Sequence, residues 1–207
     1  MAEVQAAFGV IKGKIGNLRF AEWNGINVVA QQPSGYTDAN VPAQQANRGK
    51  LAAISQLGRQ FLAALQVGFE QFSDRTTYWA EFVRVNIDVF TAANGTPVFT
   101  NPQALRVSVG NLPGFVSLAK GASTATSQVL TWTNNSAAFG ANPTDRVCVV
   151  AVDATGKIGA AVVTTATRAT GTVTITLPAA IIPGTAKYYV FLLTASGAME
   201  SSDSTYI

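Results

Sequence analysis

The sequence predicts an α+β chain with a β-hairpin arm first, a helical hairpin next and an antiparallel β-sandwich last. Three observations predict it. Asn24-Gly25 stands between two runs of β formers. Apolar residues from Ile54 to Phe72 recur at helical spacing. Beyond residue 114, short apolar runs alternate with turn residues to the end of the chain. The division that follows is an arm over 1–33, a helical hairpin over 34–97, an extended connector over 98–113 and the sandwich over 114–207.

The arm rests on turn chemistry. Asn-Gly favours a type I′ turn, in which both central residues need φ > 0, and that turn matches the twist of paired strands. Here it joins Glu22-Trp23 to Ile26-Asn27-Val28-Val29. A lone hairpin is marginal in water and must lie against something, either this chain or a second copy.

The helical hairpin rests on periodicity. Ile54, Leu57, Phe61, Leu65, Phe69 and Phe72 make one stripe, predicting a helix over 42–72 that Asn40 caps and Pro42 opens. Gly49, Gly58 and Gly68 lie within it, each costing about 1 kcal/mol against alanine. They point to close helix packing or to a break near Gly68. Ser73 and Asp74 read as the cap of a second helix over 75–92 that Asn94-Gly95 ends. Its residues form two stripes: Tyr78, Phe82, Val85 and Val89, then Trp79, Val83 and Phe90. Apolar cover on two sides predicts burial on two sides, one against the first helix and the other against the arm or another subunit.

The sandwich rests on strand spacing. Candidate strands fall at 116–119, 129–133, 146–152, 159–164, 171–177, 187–194 and 204–206, separated by turns such as Asn142-Pro143 and Pro183-Gly184. Asn111-Leu112-Pro113-Gly114 reads as the boundary before them.

Two resemblances add to this reading. Val129-Leu130-Thr131-Trp132-Thr133 resembles the second strand of fibronectin type III domains, members of the Ig-like sandwiches, where an inward Trp anchors the core. The segment 187–195 resembles their sixth strand, with Tyr188 or Tyr189 at the corner position. The whole chain resembles a family of uncharacterised bacterial and phage proteins of about 200 residues. That likeness is carried by Gly13-Lys14-Ile15-Gly16-Asn17, Trp23-Asn24-Gly25, Ala43-Gln44-Gln45, Gly68-Phe69, Gly110-Asn111-Leu112-Pro113 and Thr131-Trp132-Thr133. It implies a structural component and no activity.

Composition bounds the function. The chain has no histidine and one cysteine, Cys148, set in Val147-Cys148-Val149-Val150, which reads as a buried strand. General acid–base and thiol chemistry therefore lack their usual partner. The acids are scattered, and no phosphate-binding glycine loop or nucleophile elbow appears, so no enzyme, cofactor or metal is expected. Charged residues are only 12% of the chain, against about 25% in an average soluble domain. A surface poor in charge opposes association weakly. The net charge of +3 is spread along the chain, so no nucleic-acid partner is expected.

The expected function is a self-assembling structural protein, a virion component or a filament or surface fibre, whose expected partners are copies of itself and other proteins of that assembly. The expected interface is Ile15, Phe20, Trp23, Ile26, Val28, Trp79, Val83 and Phe90. With no cleavable signal and no membrane span visible, the protein is made in the cytoplasm and ends in a virion or an extracellular or cell-surface assembly. The alternative is a binding module, an adhesin or carbohydrate-recognition protein, working through the sandwich loops 134–144 and 154–157.

Overall fold

The computed structural model describes residues 2–3, 12–32, 35, 38, 40–72, 76–93, 95–195 and 200–207. The chain divides into two units, Met1–Asn40 and Val41–Ile207.

In the first unit, strands β1 (Ala2–Glu3), β2 (Gly13–Ile15), β3 (Leu18–Trp23) and β4 (Ile26–Gln31) form an antiparallel sheet in the order β1-β4-β3-β2. Asn24 and Gly25 turn the chain with φ of 54° and 80°, both positive as a type I′ turn requires. Trp23 then pairs with Ile26. Gly16, at φ 57°, makes a second tight turn and pairs Ile15 with Leu18. The expected hairpin is thus the centre of a larger sheet, because the glycines of 13–17 extend it by a strand.

In the second unit, α1 (Pro42–Arg59) starts with Pro42 in its first turn. Its N-cap is Val41, without a side-chain bond, rather than Asn40. The single long helix expected over 42–72 is broken: Phe61 takes φ −134°, and α2 (Leu62–Gly68) and a 3-10 turn at Glu70–Phe72 follow. The break lies where the Gln60 side chain bonds outside the helix. Its Nε2 donates to the Lys157 carbonyl at 2.6 Å, and its Oε1 accepts from the Gly159 N–H at 3.0 Å. The helix glycines do mark close approaches. A Cβ on Gly58 would stand 2.5 Å from the Phe82 ring, and one on Gly68 2.5 Å from the Val107 carbonyl.

The next helix, α3 (Tyr78–Asn86), is capped by Thr77, whose Oγ1 accepts from the Ala80 N–H at 3.1 Å. Ser73 and Asp74, expected to cap it, lie outside the described residues. The helix also ends earlier than expected. After a 3-10 turn at Ile87–Val89, β5 (Phe90–Ala93) pairs with β6 (Thr96–Phe99). Gly95, with φ 79°, is the described half of the turn between them, and Asn94 lies outside the described residues. Asn-Gly here joins two strands instead of stopping a helix.

The sandwich follows: β7 (Val116–Ser123), β8 (Ser127–Thr133), β9 (Arg146–Val152), β10 (Gly159–Thr167), β11 (Thr172–Thr176), β12 (Lys187–Leu193) and β13 (Thr205–Tyr206). The strands form a three-stranded sheet, β11-β8-β7, and a four-stranded sheet, β10-β9-β12-β13. Alternation divides β9 and β12 between two cores. Val147, Val149, Ala151, Tyr188, Val190 and Leu192 face Leu130, Trp132 and Ile175 of the smaller sheet. Cys148, Val150, Val152, Tyr189 and Phe191 face Ile54, Leu57, Phe61, Leu65, Phe69 and Phe82 of the helices.

The connector joins the helical core through Leu105 and Val107, 2% and 0% exposed. Asn86 of α3 holds it, accepting from the Arg106 N–H and donating to the Arg106 carbonyl, both at 2.7 Å. Ser201, Ser202 and Ser204 bond to it from the other side. The Ser204 hydroxyl accepts from the Val107 N–H at 3.1 Å, and the Leu112 N–H donates to the Ser201 carbonyl at 3.1 Å.

Candidate functional site

The N-terminal sheet carries five of the eight interface residues expected from sequence, and its register sorts them by face. Ile15 pairs with Leu18 and Phe20 with Val29, so these four share one face. Trp23 pairs with Ile26 and Ala21 with Val28, on the opposite face. Each face exposes large apolar side chains: Ile15 at 68% and Leu18 at 43% on one, Trp23 at 61% and Ile26 at 40% on the other. Phe20 and Val28 are half-buried.

The electrostatics of this sheet are sparse. Lys12 pairs with Glu22 at 2.8 Å. Lys14 stands directly across from Arg19, and like charges in that position repel. A cleft of about 960 Å³ is lined by Lys12, Lys14, Arg19, Phe20, Glu22 and Gln31, among others. The cleft is thus cationic and flanked by exposed aromatic and aliphatic residues.

The other three expected residues belong to the second unit. Trp79 and Val83 are partly buried against the helical core, and the Trp79 ring lies 6.1 Å from Phe82. Phe90 is 3% exposed, with its ring 5.1 Å from that of Phe99. The second stripe of the predicted helix is thus taken up within the unit, partly because Phe90 sits in a strand.

Two groups that sequence reasoning missed shape the end of the sandwich. Arg168 and Asp145 are 0% and 1% exposed and form an ion pair at 2.9 Å. The same guanidinium donates to Asn135 Oδ1 at 2.7 Å and to the Pro113 carbonyl at 2.7 Å. The Trp132 indole donates to the Arg168 carbonyl at 2.8 Å. Lying 23 residues apart, the pair has no local spacing signal. The second group is Phe139, 103% exposed in the loop that this arginine braces.

The remaining titratable groups have structural environments. Burial pushes the Cys148 thiol up to about 12, so it stays protonated and inert. The Arg84 guanidinium bonds to the Glu81 carboxylate at 2.8 Å and holds it below its usual range. Burial alone would raise the Asp153 carboxyl. The Thr155 hydroxyl and the N–H groups of Ile158, Thr155 and Lys157 outweigh that and hold it low, closing the turn after β9. Among the described residues, no helix is long and apolar enough to cross a membrane.

The Tyr188 hydroxyl donates to the Pro183 carbonyl at 2.8 Å, five residues upstream. This is the tyrosine corner of Ig-like sandwiches, and it assigns the corner to Tyr188. Tyr189 points to the helical side and donates to the Pro102 carbonyl at 2.7 Å. An inward Trp132, this corner and sheets of three and four strands define a protein built on an Ig-like antiparallel sandwich with helices packed on its larger sheet. The chain belongs to DUF6266, a family of unknown function whose pattern matches residues 10–207. No curated protein matches it.

Proposed function

We propose that this protein is a non-enzymatic structural subunit that self-assembles through its N-terminal sheet, with the sandwich displayed. The assembly it fits is a virion component or a filament or surface fibre. The observation that carries this reading is the exposure of large apolar residues on both faces of the N-terminal sheet.

Fully burying one such side chain is worth about 1.5–3 kcal/mol. Ile15 and Leu18 on one face, and Trp23 and Ile26 on the other, each contribute part of that amount to a contact, set against about 4–15 kcal/mol for lost translational and rotational freedom. The sandwich blunts three of its four edges: β7 and β10 carry irregularities in register, and β13 has two residues. Such features deter strand addition. The fourth edge, β11, keeps a regular register over five residues, so the reading rests on the exposed apolar faces of the N-terminal sheet.

The test is mass in solution. Full-length protein measured by light scattering and imaged by negative stain gives multiples of the subunit mass in closed or open arrays. Trp23→Lys combined with Ile26→Lys places two cations on one face and returns the monomer with an unchanged circular dichroism spectrum. Wild-type protein that stays monomeric at high concentration overturns the reading.

A further inference from the structure

Strand β9 has a loop at each end, 134–145 before it and 153–158 after it. The two loops are separated by the seven residues of the strand, roughly 20 Å at about 3.3 Å per residue.

The first loop is rigidly built. Besides the Arg168 bond to Asn135, the Asn142 N–H donates to Asp145 Oδ2 at 2.9 Å, the Ala138 N–H to the Asn135 carbonyl at 3.0 Å and the Ala141 N–H to the Ala138 carbonyl at 3.0 Å. A buried ion pair thus braces a loop whose tip holds Phe139 wholly in solvent. A loop backbone held by these bonds has less conformational entropy to lose on binding.

At the other end lies a pocket of about 370 Å³. Ala52, Ala53 and Leu57 of α1, Phe90 and Pro97 of the β5–β6 hairpin, and Lys157 line it, among others. Lys157 is exposed and has no ion pair among the described residues.

We propose that Phe139 of one copy plugs this pocket in a second copy, deepening the self-assembly reading on which the inference rests. The walls are mainly apolar, with Gln56 and Thr155 among them. Lys157 lines the pocket and is exposed, so its ammonium is within reach of the negative face of that ring. Residues 134–144 carry no charged side chain, so the loop meets the cation without repulsion. Plug and pocket occupy opposite ends of one strand, so the contact is head-to-tail and propagates copy to copy unless it closes into a ring. A loop tip covers far less than the ~800 Å² per partner of a stable complex. The plug therefore acts as a weak, repeated contact beside the N-terminal sheet.

Disulfide trapping in the full-length chain tests this. Ala138→Cys lies beside the plug and Gln56→Cys lines the pocket, so both variants keep Phe139. Cys148 is 0% exposed and stays silent. One variant is isotope-labelled, the two are mixed and mildly oxidised, and intact mass is read without reduction. The mixed disulfide exceeds the two-to-one excess over each symmetrical one that random pairing gives, and falls back to that ratio when Phe139→Ser is added to the Ala138→Cys chain. A mixed yield no higher than that of Ala138→Cys with Ser123→Cys, or one indifferent to Phe139→Ser, overturns the proposal. The N-terminal sheet is scored separately by light scattering of Trp23→Lys chains, so either contact can fail alone.

Discussion

Two four-stranded antiparallel sheets in this chain treat their apolar residues in opposite ways. In the larger sandwich sheet, the central strands β9 and β12 are buried along nearly their whole length. Helices cover one face and the smaller sheet covers the other, so both alternating sets of side chains find a core. In the N-terminal sheet, the central strands β3 and β4 alternate apolar residues just as freely, yet no position in them is fully buried. Strand pairing saturates the backbone in both sheets. It hides no side chain in either, and only a packed layer does that. Apolar strand residues are thus a core in one place and exposed in the other.

The comparison breaks most visibly in the covered sheet. Phe191→Ala opens a cavity on its helical face, with an expected loss of about 3–5 kcal/mol. Urea unfolding measures it. Arg168→Ala is expected to cost as much, about 3–5 kcal/mol, because it strands the Asp145 carboxylate without its partner in the interior. Replacing both Arg168 and Asp145 by apolar residues should recover most of that loss. If the double variant is no more stable than the single one, loop geometry rather than the unpaired charge carries the effect.

A smaller change sharpens the corner assignment. Tyr188→Phe keeps the ring and removes the bond to the Pro183 carbonyl, with an expected cost of about 1 kcal/mol. The same substitution at Tyr189 reads the bond to Pro102 instead. Comparable losses at both positions would show that the helical face of β12 is held as firmly as the sandwich face.

Much of this arrangement was legible in the sequence, and the reasons are local. Asn24-Gly25 encodes its turn by itself, and Trp132 and Val147-Cys148-Val149-Val150 announce burial by residue type. The Ile54-to-Phe69 stripe placed its core face correctly even though the helix breaks within it. What stayed hidden depends on distant partners. The break at Gln60–Phe61 coincides with bonds to a loop 97 residues away. The β5–β6 hairpin carries the same Asn-Gly signal as the arm. Helical spacing through Phe82, Val85 and Val89 ran up against it, and the periodicity masked the turn. The braced end of the sandwich was invisible because Arg168 and Asp145 become partners only through the fold. In the N-terminal sheet, sequence named Ile15, Trp23 and Ile26 but not the exposed Leu18, and only the register shows that these side chains fall on two faces.

The turn after β9 gives a pH-dependent expectation. The Asp153 carboxyl is held below its ordinary value of 3.8, so folding favours its ionised form. That contribution is complete above the ordinary value and is lost as pH falls through it and below. Melting temperature should therefore drop on the acid side, and Asp153→Asn should flatten part of the drop. Thermal melts between neutral pH and about pH 2.5 measure the difference. Glu81 behaves in the same sense through Arg84, so Glu81→Gln provides an independent check of the sign.

The smallest expected effect on stability is also the most informative about the uncovered sheet. Trp23 is 61% exposed, so Trp23→Lys should shift unfolding by no more than about 0.5 kcal/mol, as surface substitutions usually do. Its effect on assembled mass should be large, because it places a cation in the middle of an apolar contact. Measured at a concentration where the wild type is dissociated, the two unfolding curves should superimpose. At higher concentration the wild type alone should gain stability, since binding of copies to the folded state raises its apparent stability by mass action. A variant destabilised equally at every concentration would mean that Trp23 packs within its own molecule, and the N-terminal sheet would then differ from the sandwich sheet only in degree.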